Sequence, residues 1–308
     1  LVLVAKRRQG HIADFRAIAQ KIGRLAPDIR VSVVKDRSYN AWRPGAILWP
    51  TLTVSPLALR RLRPKRGTVA QNDLWPKSRE YAALAAAGIP IPRWALLTES
   101  DSPDLSNFGE YVVTKPDCGG RGAEVKIRRR GRVRWSAPRN DRAIRLGNGG
   151  IIVQEFFYTG LWPISYRVTT LFGRVLFAWK VTASRERRPL LGPDRFREGG
   201  ADGGGITIVS SGAGCRIELT DDREILDLAV RAHAVFPDHP LLGFDILREE
   251  PTGRLVVIEA NTCGQLWHFS SATGLSIQQD NRIDFRSQFD GLTVAAHALI
   301  DETRQRAA

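Results

Sequence analysis

Short apolar runs alternate with amphipathic stretches along the chain, and the period of each run predicts an element. Leu1–Ala5 reads as a strand, His11–Leu25 as a helix, Ile29–Val34 and Ala46–Val54 as strands, and Leu57–Leu62 as a short basic helix. That succession suggests a small α/β domain with a parallel sheet. No glycine fingerprint follows its first strand, so it does not read as a dinucleotide domain. Further on, Lys77 opens an Ala-rich helix, Gly88 stops it, and Pro90 and Pro92 hold an extended exit into a strand. Tyr111–Lys115 is a buried-looking strand that runs through a glycine-rich loop, residues 116–125, into a second strand. Gly150–Phe157 is an apolar strand ending in a polar pair and two aromatics, and Ser165–Val181 reads as a hairpin turning at Phe172–Arg174. Asp221–Phe236 and Asp290–Thr303 are amphipathic helices. Pro193–Gly205 is too glycine-rich for a packed element and reads either as a mobile lid or as a surface loop.

The pattern breaks most tellingly in Leu241–Asn261, two strands joined by a turn at Glu249–Gly253. Asp245, Glu259 and Asn261 stand where an apolar pair of strands should carry core residues. Glu259 and Asn261 are two apart and share a face, and Asp245 on the neighbouring strand can reach it. Hard oxygen donors without clustered His or Cys suit Mg2+ or Mn2+ carrying a nucleotide phosphate; the plainer reading is a pair of solvated carboxylates at a hairpin rim. Gly119, Gly120 and Gly122 free the loop after Lys115 to wrap its N–H groups around phosphate oxygens, while Lys115 adds a point charge. It is not a Walker loop, because no helix follows and the G-K-[ST] ending is missing. A lysine at a helix start, as Lys77 is, opposes the helix dipole and points to an anion nearby. Arg167 and Lys180 are the charged exceptions on the Ser165–Val181 strands and read either as flanks of a phosphate or as surface positions.

Composition narrows the class. The chain has 308 residues, 43% hydrophobic and 25% charged, enough for two or three lobes. No apolar run reaches the length of a membrane span and no signal-peptide pattern opens the sequence, so a cytoplasmic, soluble protein is expected. Three scattered cysteines, Cys118, Cys215 and Cys263, argue against a disulfide framework or a zinc site. The net charge of +14 and a pI near 10.4 attract polyanions. The densest basic runs are Arg60–Arg66 and Lys126–Arg134, the latter patterned like a hairpin turning at Arg130 and Gly131. Basic surface runs serve solubility more often than they form a groove, so nucleic-acid binding is not favoured.

Together these pieces resemble the ATP-grasp superfamily, and most closely its RimK-like and glutathione-synthetase-like carboxylate-amine ligases. The resemblance rests on motif order across residues 70–300: a lysine before a helix ending in GIPIP, TKPDCGGRG, VQEFF, a strand arginine, GFD and IEAN. It implies an α/β fold with a small N-terminal domain (1–71) and two ATP-grasp subdomains (72–149 and 150–308) that hold the nucleotide between them. It further implies that Lys77, Lys115, Gly119, Gly120 and Gly122 hold ATP phosphates, that Gln154, Glu155 and Phe157 line the adenine end, and that Arg167 and Lys180 face the transferred phosphate. Asp245, Glu259 and Asn261 would hold magnesium. Ser165 stands where the family usually has an acidic residue for the ribose. The usual proline after the asparagine motif is absent, and so is an asparagine before the glycines near Phe196–Gly205. The implied activity is ATP-dependent amide formation through an acyl phosphate, from small-molecule or peptide carboxylate and amine substrates, by an enzyme often dimeric or tetrameric. A phosphotransferase, a nucleotide-binding protein without turnover and a basic nucleic-acid-binding protein are the alternatives. Trp267 and His268, just past the metal motif, read either as walls of an acceptor pocket or as core.

Overall fold

The computed structural model describes residues 1–5, 11–35, 50–56, 67–119, 124–137, 149–183, 215–262 and 266–307. The expected basic helix Leu57–Leu62, the run Arg60–Arg66, the loop Pro193–Gly205, and Gly120, Gly122 and Cys263 lie outside them.

Three sheets follow one another. The first is parallel, with strands β1 (Val2–Ala5), β2 (Ser32–Lys35), β3 (Leu52–Ser55) and β4 (Thr68–Gln71) in the order β2-β1-β3-β4. Helix α1 (His11–Leu25) crosses between β1 and β2 and buries Phe15, Ile18 and Ile22, an apolar stripe at helical spacing. The strand at Thr68–Gln71 was not anticipated, because a short, half-exposed edge strand shows no apolar alternation.

The second sheet is antiparallel. It contains β5 (Trp94–Leu97), β6 (Tyr111–Pro116), β7 (Lys126–Arg129) and β8 (Ile151–Glu155) in the order β5-β8-β6-β7. Helix α2 (Lys77–Ala86) precedes it. Two expectations are corrected here. Lys126–Arg129 pairs back onto Tyr111–Thr114 and is followed by a 3-10 turn at Arg130–Arg132, so the basic run is not a hairpin of its own. The boundary expected between residues 149 and 150 falls too early, since β8 lies between β5 and β6 and the chain leaves this sheet only after Glu155.

The third sheet, also antiparallel, has β9 (Ile164–Leu171), β10 (Arg174–Thr182), β11 (Arg216–Leu219), β12 (Leu241–Arg248) and β13 (Leu255–Asn261), ordered β11-β10-β9-β12-β13. Phe172 and Gly173 both have positive φ, 47° and 76°, as a two-residue hairpin loop of right-handed twist demands. One face of this sheet packs on α3 (Arg223–His233), with Leu84 and Ile89 from α2 and its exit. On the other face Phe177 and Trp179 join Trp267, Phe269, α1 of the first sheet and α6 (Gly291–Gln305) in one continuous core. The short helices α4 (Ala272–Asn281) and α5 (Phe285–Gln288) close that side. No helix among the described residues is long and apolar enough to cross a membrane.

The first and third sheets are also tied by one buried carboxylate. Asp14 of α1 accepts from Trp267 Nε1 at 2.9 Å, from Ser270 Oγ and from Arg286 at 2.6 Å. Trp267 is thereby a packing residue, 1% exposed, whose indole N–H has its partner.

Candidate functional site

Two β-bulges decide which side chains meet. The turn after Arg248 puts Leu255 opposite it, and counting back without interruption would set Asp245 against Ile258 and turn Glu259 to the other face. Instead the register slips by one residue between Asp245 and Ile246, so that Asp245 faces Glu259 and Gly243 faces Asn261. The slip brings Asp245, Glu259 and Asn261 onto one face, together with Arg167, which lies opposite Asp245 on β9. It also leaves Ile258 as the extra residue, and its carbonyl receives Lys115 Nζ at 2.9 Å and the Tyr81 hydroxyl at 2.6 Å.

A second slip, between Val175 and Phe177, has the opposite result. An uninterrupted hairpin would put Lys180 on the Arg167 face. The bulge pairs Arg167 with Trp179 and Lys180 with Tyr166, so Lys180 points to the face carrying Val168 and Ala178, where it lies 3.4 Å from Glu218. The expectation that Arg167 and Lys180 flank one phosphate is therefore corrected. Ser165, two residues before Arg167, is half-buried and on the Arg167 face.

The facing wall comes from α2 and the second sheet. Pro76 gives α2 no side-chain cap, and the loop after β6 supplies one: Asp117 accepts from Ser78 N at 2.7 Å through its carboxylate and from Lys77 N at 3.0 Å through its carbonyl. This fixes Lys77 over the start of the glycine loop, where its Nζ lies 2.9 Å from Gly119 O and 3.2 Å from Glu259 Oε1. Lys115 reaches across from β6 to Ile258 O and to the Tyr81 hydroxyl at 2.9 Å. Tyr81 in turn lies 2.7 Å from Gln154 Oε1, so α2, β6, β8 and β13 meet at one phenol. Sequence reasoning missed Tyr81, since an aromatic at helical spacing in an Ala-rich helix looks like core. It also missed Glu80 and Asp117, which are buried beside these groups.

The electrostatics follow from burial opposed by pairing. Burial pushes the Glu259 carboxyl up, but Lys77, Lys115 and Arg167 outweigh it and hold the group below its ordinary range. Lys115 is pulled down by burial to about 8, with Glu259 resisting and Lys77 assisting. Burial also lowers Lys77, yet the Glu259 and Glu80 carboxylates raise it on balance. Burial and the neighbouring Glu259 charge push the Glu80 carboxyl well above the usual carboxylate range. Arg167 makes a two-pronged ion pair with Asp245, NH2 lying 2.7 Å from Oδ2. Asn261 donates Nδ2 to Gly243 O at 3.0 Å and to Asp245 at 3.1 Å, which leaves its amide oxygen as the atom suited to a cation. Two carboxylates and an amide oxygen on one face match the donor set of a hard divalent cation.

At the expected adenine end, Gln154 is buried against Tyr81. The Glu155 carboxylate is held by Arg93 N at 3.1 Å and by Arg254 at 3.2 Å, and its N–H donates to Arg93 O at 2.8 Å. Phe157 is buried with the Arg254 guanidinium 4.5 Å over its ring. His268 packs against Phe177 and Trp179, and burial together with the Arg167 charge lowers it to about 4, so it is neutral at pH 7.

No protein-family model matches the sequence, and no curated protein matches it. Among solved structures, the ATP-grasp ligase PsnB complexed with precursor peptide PsnA2 and AMPPNP aligns over 98% of this chain and 98% of its own, at 16% identity and a TM-score of 0.55. The same ligase complexed with minimal precursor, Mg and ADP aligns over 98% of each chain at 16% identity, with a TM-score of 0.54. The chain has the ATP-grasp fold: an antiparallel sheet with a glycine-loop lysine and a second antiparallel sheet with a carboxylate face, meeting beneath one helix.

Proposed function

We propose that this chain is an ATP-dependent carboxylate-amine ligase that forms an amide through an acyl phosphate. The observation that carries the reading is the convergence of Lys77, Lys115 and Arg167 with Asp245, Glu259 and Asn261 at one seam between the second and third sheets. The similarity of the fold to a ligase solved with a precursor peptide, Mg and ADP supports it. In this reading residues 1–71 form an N-terminal domain, and the ATP-grasp subdomains meet near Glu155.

Bound magnesium–ATP supplies the transferable phosphoryl group, which converts an unreactive carboxylate into an acyl phosphate. The residues of the chain position and neutralise. Lys77 and Lys115 bring two cations to the phosphate side, with Gly119 beneath Lys77. Asp245, Glu259 and the Asn261 oxygen would hold the metal. Gln154, the Glu155 backbone and Phe157 border the base, and Ser165 offers a hydroxyl to the ribose. Arg167 stands beside the reacting groups, where it stabilises charge on the transferred phosphate. A small-molecule or peptide carboxylate donates, and an amine displaces phosphate to close the amide. His268, lowered to about 4 by burial and the nearby Arg167, is too weak a base to take up the proton that the amine gives up.

The test is calorimetric titration of ATP with magnesium into the parent and into Glu259→Ala, followed by phosphate release and product mass across amino acids and peptides. Magnesium-dependent binding that collapses in the variant, with substrate-dependent phosphate release, is expected. A parent that binds no ATP overturns the reading. Phosphate transfer without amide product reduces it to a phosphotransferase.

A further inference from the structure

His268 stands over the Arg167 face with no task in the chemistry above. Its ring meets Trp179 edge to face at 5.1 Å, and Trp179 is paired with Arg167 on the neighbouring strand, so the two strand side chains share one face. Leu266 fixes the ring, since its carbonyl accepts the His268 backbone N–H at 3.1 Å and lies 3.2 Å from Nδ1. Phe177 and Phe285 also meet the ring edge to face, at 5.9 and 6.3 Å.

A carbonyl oxygen only accepts, so the Leu266 contact puts the ring proton on Nδ1 and leaves Nε2 with a bare lone pair. Burial and the Arg167 charge keep the ring neutral, with a pKa of about 4, so Nε2 remains an acceptor at pH 7. Among the described residues Nε2 has no hydrogen-bond partner, although the residue is only 5% exposed. A buried acceptor of this kind calls for an N–H or O–H donor. That donor should carry no charge, because the Arg167 guanidinium and His11 of α1 both oppose added positive charge at this ring.

We propose that His268 orients the amine substrate by accepting one of its N–H groups at Nε2, and that the amine so selected is the weakly basic α-amino group of a peptide or aminoacyl amide rather than an alkylamine. This rests on the ligase reading above. The selection is electrostatic: a peptide α-amino group, of pKa about 7.7–8.0, is partly uncharged at neutral pH, whereas an alkylamine such as that of lysine, about 10.4, is almost wholly ammonium. Accepting one N–H holds the amine while its lone pair faces the acyl phosphate. The C–N bond forms, the C–O bond to phosphate breaks, and the surplus amine proton leaves on the departing phosphate, so His268 gains no proton.

The test is heteronuclear NMR of the histidine ring nitrogens in the unaltered protein, titrated with glycinamide, with dimethylglycinamide, whose free amine carries no N–H, and with butylamine. Before any addition, Nδ1 of His268 carries the proton and Nε2 does not. Glycinamide shifts the Nε2 resonance and leaves the Nδ1 proton in place, while dimethylglycinamide and butylamine leave Nε2 unmoved. In His268→Phe the KM for glycinamide in amide formation rises about tenfold, the size expected for one lost hydrogen bond, and magnesium–ATP affinity is unchanged. A proton on Nε2 in the free protein, no shift with glycinamide, an equal shift with dimethylglycinamide or butylamine, or an equal loss of ATP affinity in the variant would each overturn the inference. The titration needs neither nucleotide nor turnover, so it decides the matter even where the variant fails to fold. A parent that binds no ATP refutes the ligase reading by a separate measurement.

Discussion

Replacing Tyr81 with Phe removes one oxygen from the point where four elements meet. The phenol is 1% exposed, accepts from Lys115 Nζ at 2.9 Å, and lies 2.7 Å from Gln154 Oε1 and 2.6 Å from Ile258 O. Having one proton, it donates to only one of those two acceptors. The substitution therefore deletes one hydrogen bond from a charged donor, worth about 1.5–3 kcal/mol, and one neutral bond, worth about 1 kcal/mol. Lys115 keeps the Ile258 carbonyl, which places the expected loss at the lower part of that sum, about 2.5–3 kcal/mol. Urea unfolding followed by circular dichroism measures it. A loss of stability alone would not single out the hydroxyl, so the control is Leu84→Ala on the same helix, fully buried in the adjoining core, which costs about 2–5 kcal/mol. Tyr81→Phe should also weaken magnesium–ATP binding, because Lys115 loses its tether, whereas Leu84→Ala should leave that affinity unchanged. If Tyr81→Phe stays within about 0.5 kcal/mol of the parent and binds ATP equally well, the phenol does not hold Lys115 and the account is wrong.

The remaining predictions address charge placement and packing. Because the Lys115 pKa falls from 10.5 to about 8 on folding, the unfolded chain binds more protons between those values; stability should rise by roughly 3 kcal/mol from pH 8 to pH 10.5, measured against Lys115→Met. Over the same interval ATP affinity should fall, as the ammonium that meets the phosphates is lost. Arg167→Ala should lower turnover by about 10²–10³ and Lys180→Ala by less than about twofold, since only Arg167 shares the Asp245 face; equal losses would restore Lys180 to the site. Gly274→Ala would set a methyl group 2.0 Å from His268 O and 2.5 Å from His268 Cα, so α4 must retreat, with a cost of about 1–3 kcal/mol visible in a thermal melt.

Much of this arrangement was legible because the signals were local. Helix α1 reads from its apolar stripe, the start of α2 from Lys77 after Pro76, and the β9–β10 turn from its glycine. What escaped depends on distant pairing. The sequence lets Asp245 be expected to reach the face of Glu259 and Asn261, but it does not show the bulge that secures this, nor the one that turns Lys180 away from Arg167; each rests on one extra residue in its hairpin, and a strand slipped by one residue presents its other face. Apolar alternation does not announce such a residue. The insertion of β8 between β5 and β6, the Asp117 cap on α2 and the Asp14 tie between α1 and Ser270 each join residues far apart in sequence.

The pairing within the site suggests how it accepts a charged ligand. Lys77 is matched to Glu259, Arg167 to Asp245, and Lys115 to a carbonyl on the residue before Glu259. The two lysine contacts span the seam where the ligand would lie, the Arg167–Asp245 pair lines its third-sheet side, and stripping a partner from any of these charges is costly in so enclosed a place. A triphosphate that arrives with a divalent cation avoids that cost, because the lysines pass to phosphate oxygens while the carboxylates pass to the metal. A triphosphate without metal takes Lys77 away from Glu259 and leaves the carboxylate unmatched. Glu259→Gln removes this penalty and also removes a metal ligand. Metal-free ATP should therefore bind the variant more tightly than the parent, while magnesium–ATP should bind it less tightly. Calorimetry in chelator and in magnesium reads both arms. Parallel weakening in the two conditions would mean that Lys77 and Glu259 do not exchange partners, and that their ion pair is only a clasp between α2 and β13.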